Sequence, residues 1–299
     1  DSSLISGCSY YVTNRAQDNA GNWEEWYNVY GSTFYFDNTP PIAEITLPEP
    51  TVQYYSSLPT ISGTATDPVP ASTAPYVAGL KQVLLTLRDN TSGTPEYNQY
   101  WQSPNGGWGS AVSTWVVNGT SVWYSTNVPQ WQQGHEYHIR VWAVDNAVPA
   151  PGNEGQIVEK YFRYDSSAPV VGFISPQDGQ FYKSLTKITG TALDYPVAPL
   201  YRSGIEKVEV LIKRNEDGYY WTGTTWSSSE PADWPDATLD PFGDKQSTIS
   251  WEYTSLPVWE SGKDYDITIR AFDALNIVSS SVTYTVKIDT HPPVSMVTR

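Results

Sequence analysis

One segment recurs three times along this 299-residue chain, at intervals the size of whole domains. It reads WQQGHEYHIRVWAVDN at 131–146, WESGKDYDITIRAFDALN at 259–276 and SGCSYYVTNRAQDNAGN at 6–22. Tyr10, Tyr137 and Tyr265 lie 127 and 128 positions apart, and Asp18, Asp145 and Asp273 keep the same intervals. In the second copy Tyr137, Ile139, Val141 and Ala143 alternate with His138, Arg140, Trp142 and Val144, the period of a strand with one face in a core. Tyr265, Ile267, Ile269 and Ala271 repeat the pattern. Tyr10, Val12 and Ala16 repeat it less cleanly, with Asn14 breaking the apolar face.

A second recurring element marks the boundaries. Asp37-Asn-Thr-Pro-Pro41 returns as Asp165-Ser-Ser-Ala-Pro169 and Asp289-Thr-His-Pro-Pro293, in steps of 128 and 124. Proline fixes φ and pushes the residue before it into an extended conformation, so each junction reads as a short, stiff linker. The chain then divides into the closing strands of a first domain (1–38), two full domains (39–166 and 167–290) and the opening strand of a further one (291–299).

Within the full domains the strand pattern is copied in order. Ile42 to Leu47 and Val170 to Ile174 open each domain. Thr60 to Asp67 and Lys187 to Asp194 follow, then Leu80 to Arg88 and Ile205 to Lys213. The return begins at Val122 to Tyr124 and Trp251 to Tyr253. The tyrosine stretch comes next, and Val158 to Tyr164 and Val282 to Ile288 close. Gly63 and Gly190 sit inside the second strand, where a missing side chain lets a backbone or an aromatic ring come close. Seven or so short strands per repeat, with no helical periodicity, predict an all-β chain of tandem Greek-key β-sandwiches forming an elongated rod.

Several motifs carry a resemblance. A tyrosine just after a Gly turn is similar to the tyrosine corner of Greek-key sandwiches, where the phenol bonds back to upstream backbone. With GTATD and GTALD, AGLKQV and SGIEKV, AVDNA, AFDALN and AQDNAGN, and the DNTPP-type junctions, the chain resembles tandem bacterial Ig-like, fibronectin type III-like domains of large extracellular proteins. The resemblance covers nearly the whole sequence. It implies a spacer or stalk of the kind found in adhesins, surface-layer proteins and multidomain enzymes. None of the motifs is specific for a ligand.

Composition narrows the partners. A net charge of −15 and an isoelectric point near 4.5 set the chain against nucleic acid and anionic membranes. The single cysteine, Cys8, excludes an intrachain disulfide framework and falls at a variable turn position. No apolar run approaches the ~18 residues that span a bilayer. Thirteen Trp and 22 Tyr among many Ser, Thr, Gly and Pro fit a secreted or cell-surface β protein.

Two constellations could carry chemistry. In this topology the incoming linker and the loops after the second and sixth strands share one end of the sandwich. That gathers Asp37, Asn38, Asp67, Asp145 and Asn146 in one domain, and Asp165, Asp194 and Asp273 in the next. Converging carboxylates and amide oxygens suit a hard cation, Ca²⁺ above all. Alternatively each aspartate caps its own turn through Asx hydrogen bonds.

The second constellation is aromatic. Trp101 and Trp108, and Tyr220, Trp221 and Trp226, recur in insertions between the third and sixth strands. They offer a stacking platform for sugars or, alternatively, a secondary packing cluster. Catalysis has little support: none of His135, His138 and His291 recurs between repeats, and no phosphate loop or Cys/His cluster is present.

The expected function is therefore a non-enzymatic structural or adhesive stalk segment of an extracellular or surface protein, able to assemble into a layer or fibre. Its partners would be neighbouring repeats, other copies of the protein or surface glycans. The alternative is a carbohydrate-binding or spacer region of a secreted glycoside hydrolase.

Overall fold

A computed structural model describes residues 4–25, 31–195, 200–245 and 248–296. Every regular element among them is a β-strand, and no helix is long and apolar enough to cross a membrane. In order the strands are β1 (Cys8–Val12), β2 (Ser32–Phe36), β3 (Ile42–Leu47), β4 (Tyr54–Tyr55), β5 (Ile61–Thr66), β6 (Leu80–Asp89), β7 (Tyr100–Trp101) and β8 (Trp108–Gly109). β9 (Trp115–Val116), β10 (Val122–Ser125), β11 (Glu136–Asp145), β12 (Val158–Tyr164), β13 (Val170–Ser175), β14 (Phe181–Tyr182), β15 (Ile188–Leu193) and β16 (Ile205–Arg214) follow. The last are β17 (Tyr220–Trp221), β18 (Trp226–Ser227), β19 (Thr238–Leu239), β20 (Ile249–Tyr253), β21 (Asp264–Asp273) and β22 (Val282–Ile288).

The chain forms two compact units. Unit 1 comprises Asp1–Gln53, Leu58–Trp131 and Glu136–Phe162; unit 2 comprises Tyr54–Ser57, Gln132–His135 and Arg163–Arg299. In unit 1 the sheet β10-β5-β3 faces the sheet β12-β11-β6-β7-β8, with β9 also on β6. In unit 2 the sheet β13-β15-β20-β19 faces β22-β21-β16-β17-β18. β14 adds to unit 2 by pairing in parallel with Lys287 and Ile288. Both units are Greek-key β-sandwiches, so the chain is all-β and built of tandem sandwiches.

Alternation does what the sequence requires. Tyr137, Ile139, Val141 and Ala143 in β11, and Tyr265, Ile267, Ile269 and Ala271 in β21, are all 0% exposed. Val83, Leu85 and Leu87 of β6 face them from the next strand, also fully buried. The tyrosine corner is present: Tyr265 Oη accepts the Glu260 N–H at 3.1 Å, and Tyr10 Oη accepts the Ile5 N–H at 2.7 Å.

Gly63 and Gly190 are fixed by close approach. Each pairs across the sheet with a tryptophan, Trp123 or Trp251, whose indole lies over it. A Cβ at Gly63 would stand 1.9 Å from the Glu44 carbonyl oxygen and 2.3 Å from the Trp123 ring. At Gly190 the same distances are 2.0 Å, to the Gly172 oxygen, and 2.3 Å, to Trp251.

The first copy of the repeat behaves differently. β1 pairs only with β2, and Tyr11 and Val12 are more than half exposed. The strand forms because its backbone finds a partner; its side chains stay open because no second sheet covers them among the described residues. At the other end, residues 294–296 are exposed and outside any strand, and 297–299 lie outside the described residues.

Candidate functional site: an acidic pole in each unit

The same three backbone positions build a cluster in each sandwich. In unit 1, Asp37 precedes β3, Asp67 follows β5 and Asp145 ends β11. In unit 2, Asp165 precedes β13, Asp194 follows β15 and Asp273 ends β21. One carboxylate oxygen from each member of a triad lies within 4.8 Å of the other two. The two triads brought together are those the sequence singled out.

The loop before β6 or β16 closes the cluster with backbone N–H groups. Asp37 Oδ2 accepts from Ala78 at 2.6 Å and Asp67 Oδ2 from Gly79 at 2.7 Å. Ser203 and Gly204 repeat this on Asp165 and Asp194, at 2.6 and 2.7 Å. Gly79 and Gly204 have φ of 77° and 91°, the left-handed region that glycine tolerates. This is why the AGLKQV and SGIEKV motifs carry their glycine.

The aspartates also cap their own turns. Asp145 Oδ1 accepts from Ala147 at 3.0 Å, Asp273 Oδ1 from Leu275 at 2.9 Å and Asp37 Oδ1 from Thr39 at 3.0 Å. Turn capping and convergence therefore coexist, because one oxygen serves the turn while the carboxyl group still faces its partners.

The electrostatics are unfavourable without a counter-charge. Asp145, Asp165, Asp194 and Asp273 are fully buried, and none of the six carboxylates forms an ion pair among the described residues. Burial pushes Asp194 up to about 6, with the Asp165 and Asp273 charges adding to it. Burial likewise raises Asp273 and Asp67. Asp67 Oδ1 and Asp273 Oδ2 are buried with no hydrogen-bond partner.

The two asparagines proposed as ligands sit elsewhere. Asn38 is exposed and gives its backbone N–H to Ser6 Oγ. Asn146 points its amide nitrogen at the carbonyls of Ala78, Gly79 and Leu80, bracing the glycine loop. The amide that enters the unit 1 cluster is Asn153, which donates to Asp145 Oδ2 at 2.8 Å and to the Asp37 carbonyl at 3.2 Å. The available signal was the Asp18-Asn-Ala-Gly-Asn22 turn, where Asn22 bonds Asp18 in the same way.

The aromatic insertions pack in matching geometry. Trp101 and Trp108 meet edge-on at 5.6 Å, and Trp108 stacks on the core Tyr137 at 5.8 Å. Trp221 and Trp226 meet at 5.5 Å, and Trp226 lies 6.1 Å from Tyr265. Trp101 Nε1 donates to Asn127 and Trp221 Nε1 to the Ser255 carbonyl. Tyr220 lies beside Lys213. All five rings are half-buried.

No family model and no curated protein matches the chain. Among solved structures it is similar to the fibronectin(III)-like modules of Clostridium thermocellum CbhA, with 13% identity and a TM-score of 0.31, covering 86% of this chain and 100% of that one. It is similar to the chicken interferon gamma receptor alpha chain at 12% identity and a TM-score of 0.28, covering 84% and 99%. The FN1-FN3 domains of chicken CNTN1 align at 10% identity with a TM-score of 0.27, covering 95% and 79%. The fold class rests on the strand order described above.

Proposed function

We propose that this chain is a structural segment of a longer extracellular or cell-surface protein. Its sandwiches serve to space and join other parts, and acidic poles of this kind hold Ca²⁺. The observation that carries the reading is repetition: the linker aspartate that enters each unit also closes that unit's pole. The recurring polar residues thus hold the fold and its junction rather than a cleft with a nucleophile or an acid–base pair.

Converging carboxylate oxygens are the hard donors that Ca²⁺ takes. Buried carboxylates without a cation cost stability, and a bound ion offsets that cost. Such a segment lends itself to lateral assembly into a layer or fibre, with neighbouring repeats or other copies as partners.

The test is thermal unfolding with added Ca²⁺ and then with EGTA, beside small-angle scattering. A melting temperature raised by calcium and lowered by chelation, in an elongated particle, supports the proposal. An unchanged melting temperature removes the cation, and a compact globule removes the spacer.

The carbohydrate-binding alternative finds less support. Both tryptophan pairs rest against a core tyrosine in the same way, which packing explains without a sugar. Polysaccharide retention that disappears in Trp221→Ala would reverse that preference.

A further inference from the structure

At the corner after the tyrosine strand, each copy of the repeat returns one residue to bond the aspartate, and that residue is not the same in all three. Asn22 in the first copy and Asn153 in unit 1 bond the preceding aspartate twice. The backbone N–H reaches Oδ1, at 2.9 Å on Asp18 and 2.7 Å on Asp145, and the side-chain amide reaches Oδ2, at 2.9 and 2.8 Å. In unit 2 this place belongs to Ile277. Its N–H keeps the first bond, at 2.7 Å to Asp273 Oδ1, and its side chain has no donor for the second.

The consequence is an oxygen without a partner in a residue that is 0% exposed, Asp273 Oδ2. The Ser203 hydroxyl eases the charge on Asp273 and donates to Asp194 Oδ2 at 3.4 Å, yet Asp273 Oδ2 stays without a partner. Asp165 and Asp194, the other two members of the cluster, are also 0% exposed. Unit 1 has a bare oxygen too, Asp67 Oδ1. There, however, Asn153 bridges Asp145 Oδ2 to the Asp37 carbonyl, and Asp37 and Asp67 are only half-buried.

We propose that the Asp165–Asp194–Asp273 pole of unit 2 is the high-affinity Ca²⁺ site of this chain, and that in unit 1 the Asn153 amide stands in for the ion. The assignment rests on the cation reading above. Its physical basis is that a buried carboxylate oxygen needs a positive partner. An amide N–H supplies one in unit 1, whereas isoleucine leaves the place to a metal.

The experiment is calorimetric titration of the chelator-treated full chain with Ca²⁺, with thermal unfolding of each variant as a check on folding. One tight site is expected. Ile277→Asn should weaken it about tenfold or more, and because asparagine already stands there in two copies, the fold should hold. Independently, Asn153→Ile should create a second site. Two equivalent sites in the parent chain overturn the assignment, as does a single site that survives Ile277→Asn unchanged. No calcium response in either the parent or Asn153→Ile overturns the cation reading itself.

Discussion

Trp123 covers Gly63 in unit 1 and Trp251 covers Gly190 in unit 2, each ring 2.3 Å from where a Cβ would be. Trp108 and Trp226 lie against Tyr137 and Tyr265 in closely similar poses. In these packed regions the units are near copies. At the poles they part: Asn153 bonds Asp145 Oδ2 in one cluster, and Ile277 leaves the matching Asp273 Oδ2 bare in the other. An interior packed at crystal density admits few shapes, so the ring and the missing side chain must change together or not at all. A carboxylate oxygen has more ways to be satisfied, by an amide, a backbone N–H, a proton or an ion, so the pole can diverge while the fold stays the same.

The cores carry the largest expected effects. Trp123→Ala and Trp251→Ala should each cost about 3–5 kcal/mol, as large aromatic truncations in a core do. Chemical denaturation followed by circular dichroism would test this, and costs differing by more than about 1 kcal/mol would show that the two cores are not equivalent. Gly63→Ala and Gly190→Ala should cost about 1–3 kcal/mol or more, since the added Cβ meets a backbone oxygen that cannot turn aside. Wild-type melting temperatures in both variants would refute the close-approach account.

The poles give a pH test. Asp194 is held at about 6 in the folded chain against an ordinary 3.8. A raised carboxylate contributes stability that is fully present below the unfolded value and is lost as pH rises through the folded one. In chelator, the chain should therefore lose stability relative to Asp194→Asn between about pH 4 and pH 7. A melting-temperature difference that stays flat across that range would show that the carboxylate is not strained.

A last, small difference separates the two core tryptophans. Trp123 Nε1 donates to the Thr64 carbonyl at 3.0 Å, whereas Trp251 Nε1 is buried with no partner. Trp123→Phe should therefore cost about 1 kcal/mol more than Trp251→Phe, one net hydrogen bond. Equal costs in denaturant titrations would remove that distinction.

The strands were legible because alternation and spacing are local. Ile42–Leu47, Val158–Tyr164 and Val282–Ile288 are strands with the bounds that the apolar period gives. The triads were legible too, because a fixed topology carries the linker and two loop ends to one side of a sandwich, so three aspartates repeated in register must meet. Asn38 and Asn146 show where that reasoning stops. Proximity along the chain placed them near the pole, but an amide can turn either its oxygen or its nitrogen toward a neighbour, and only the surrounding carbonyls decide.

What the sequence determined alone was the periodic part: strand order, the glycine beneath the tryptophan, and the aspartates that converge. Tertiary structure decided which oxygens have partners and which rings are covered. Asn153, eight residues beyond Asp145, reaches it only because the intervening loop folds back, while Ile277, four beyond Asp273, arrives at the same place by a shorter turn. Burial likewise divides β1 from β11 and β21. The alternation, clean in β11 and β21 and weaker in β1, fixes a strand's two faces, but whether a face is covered depends on a second sheet.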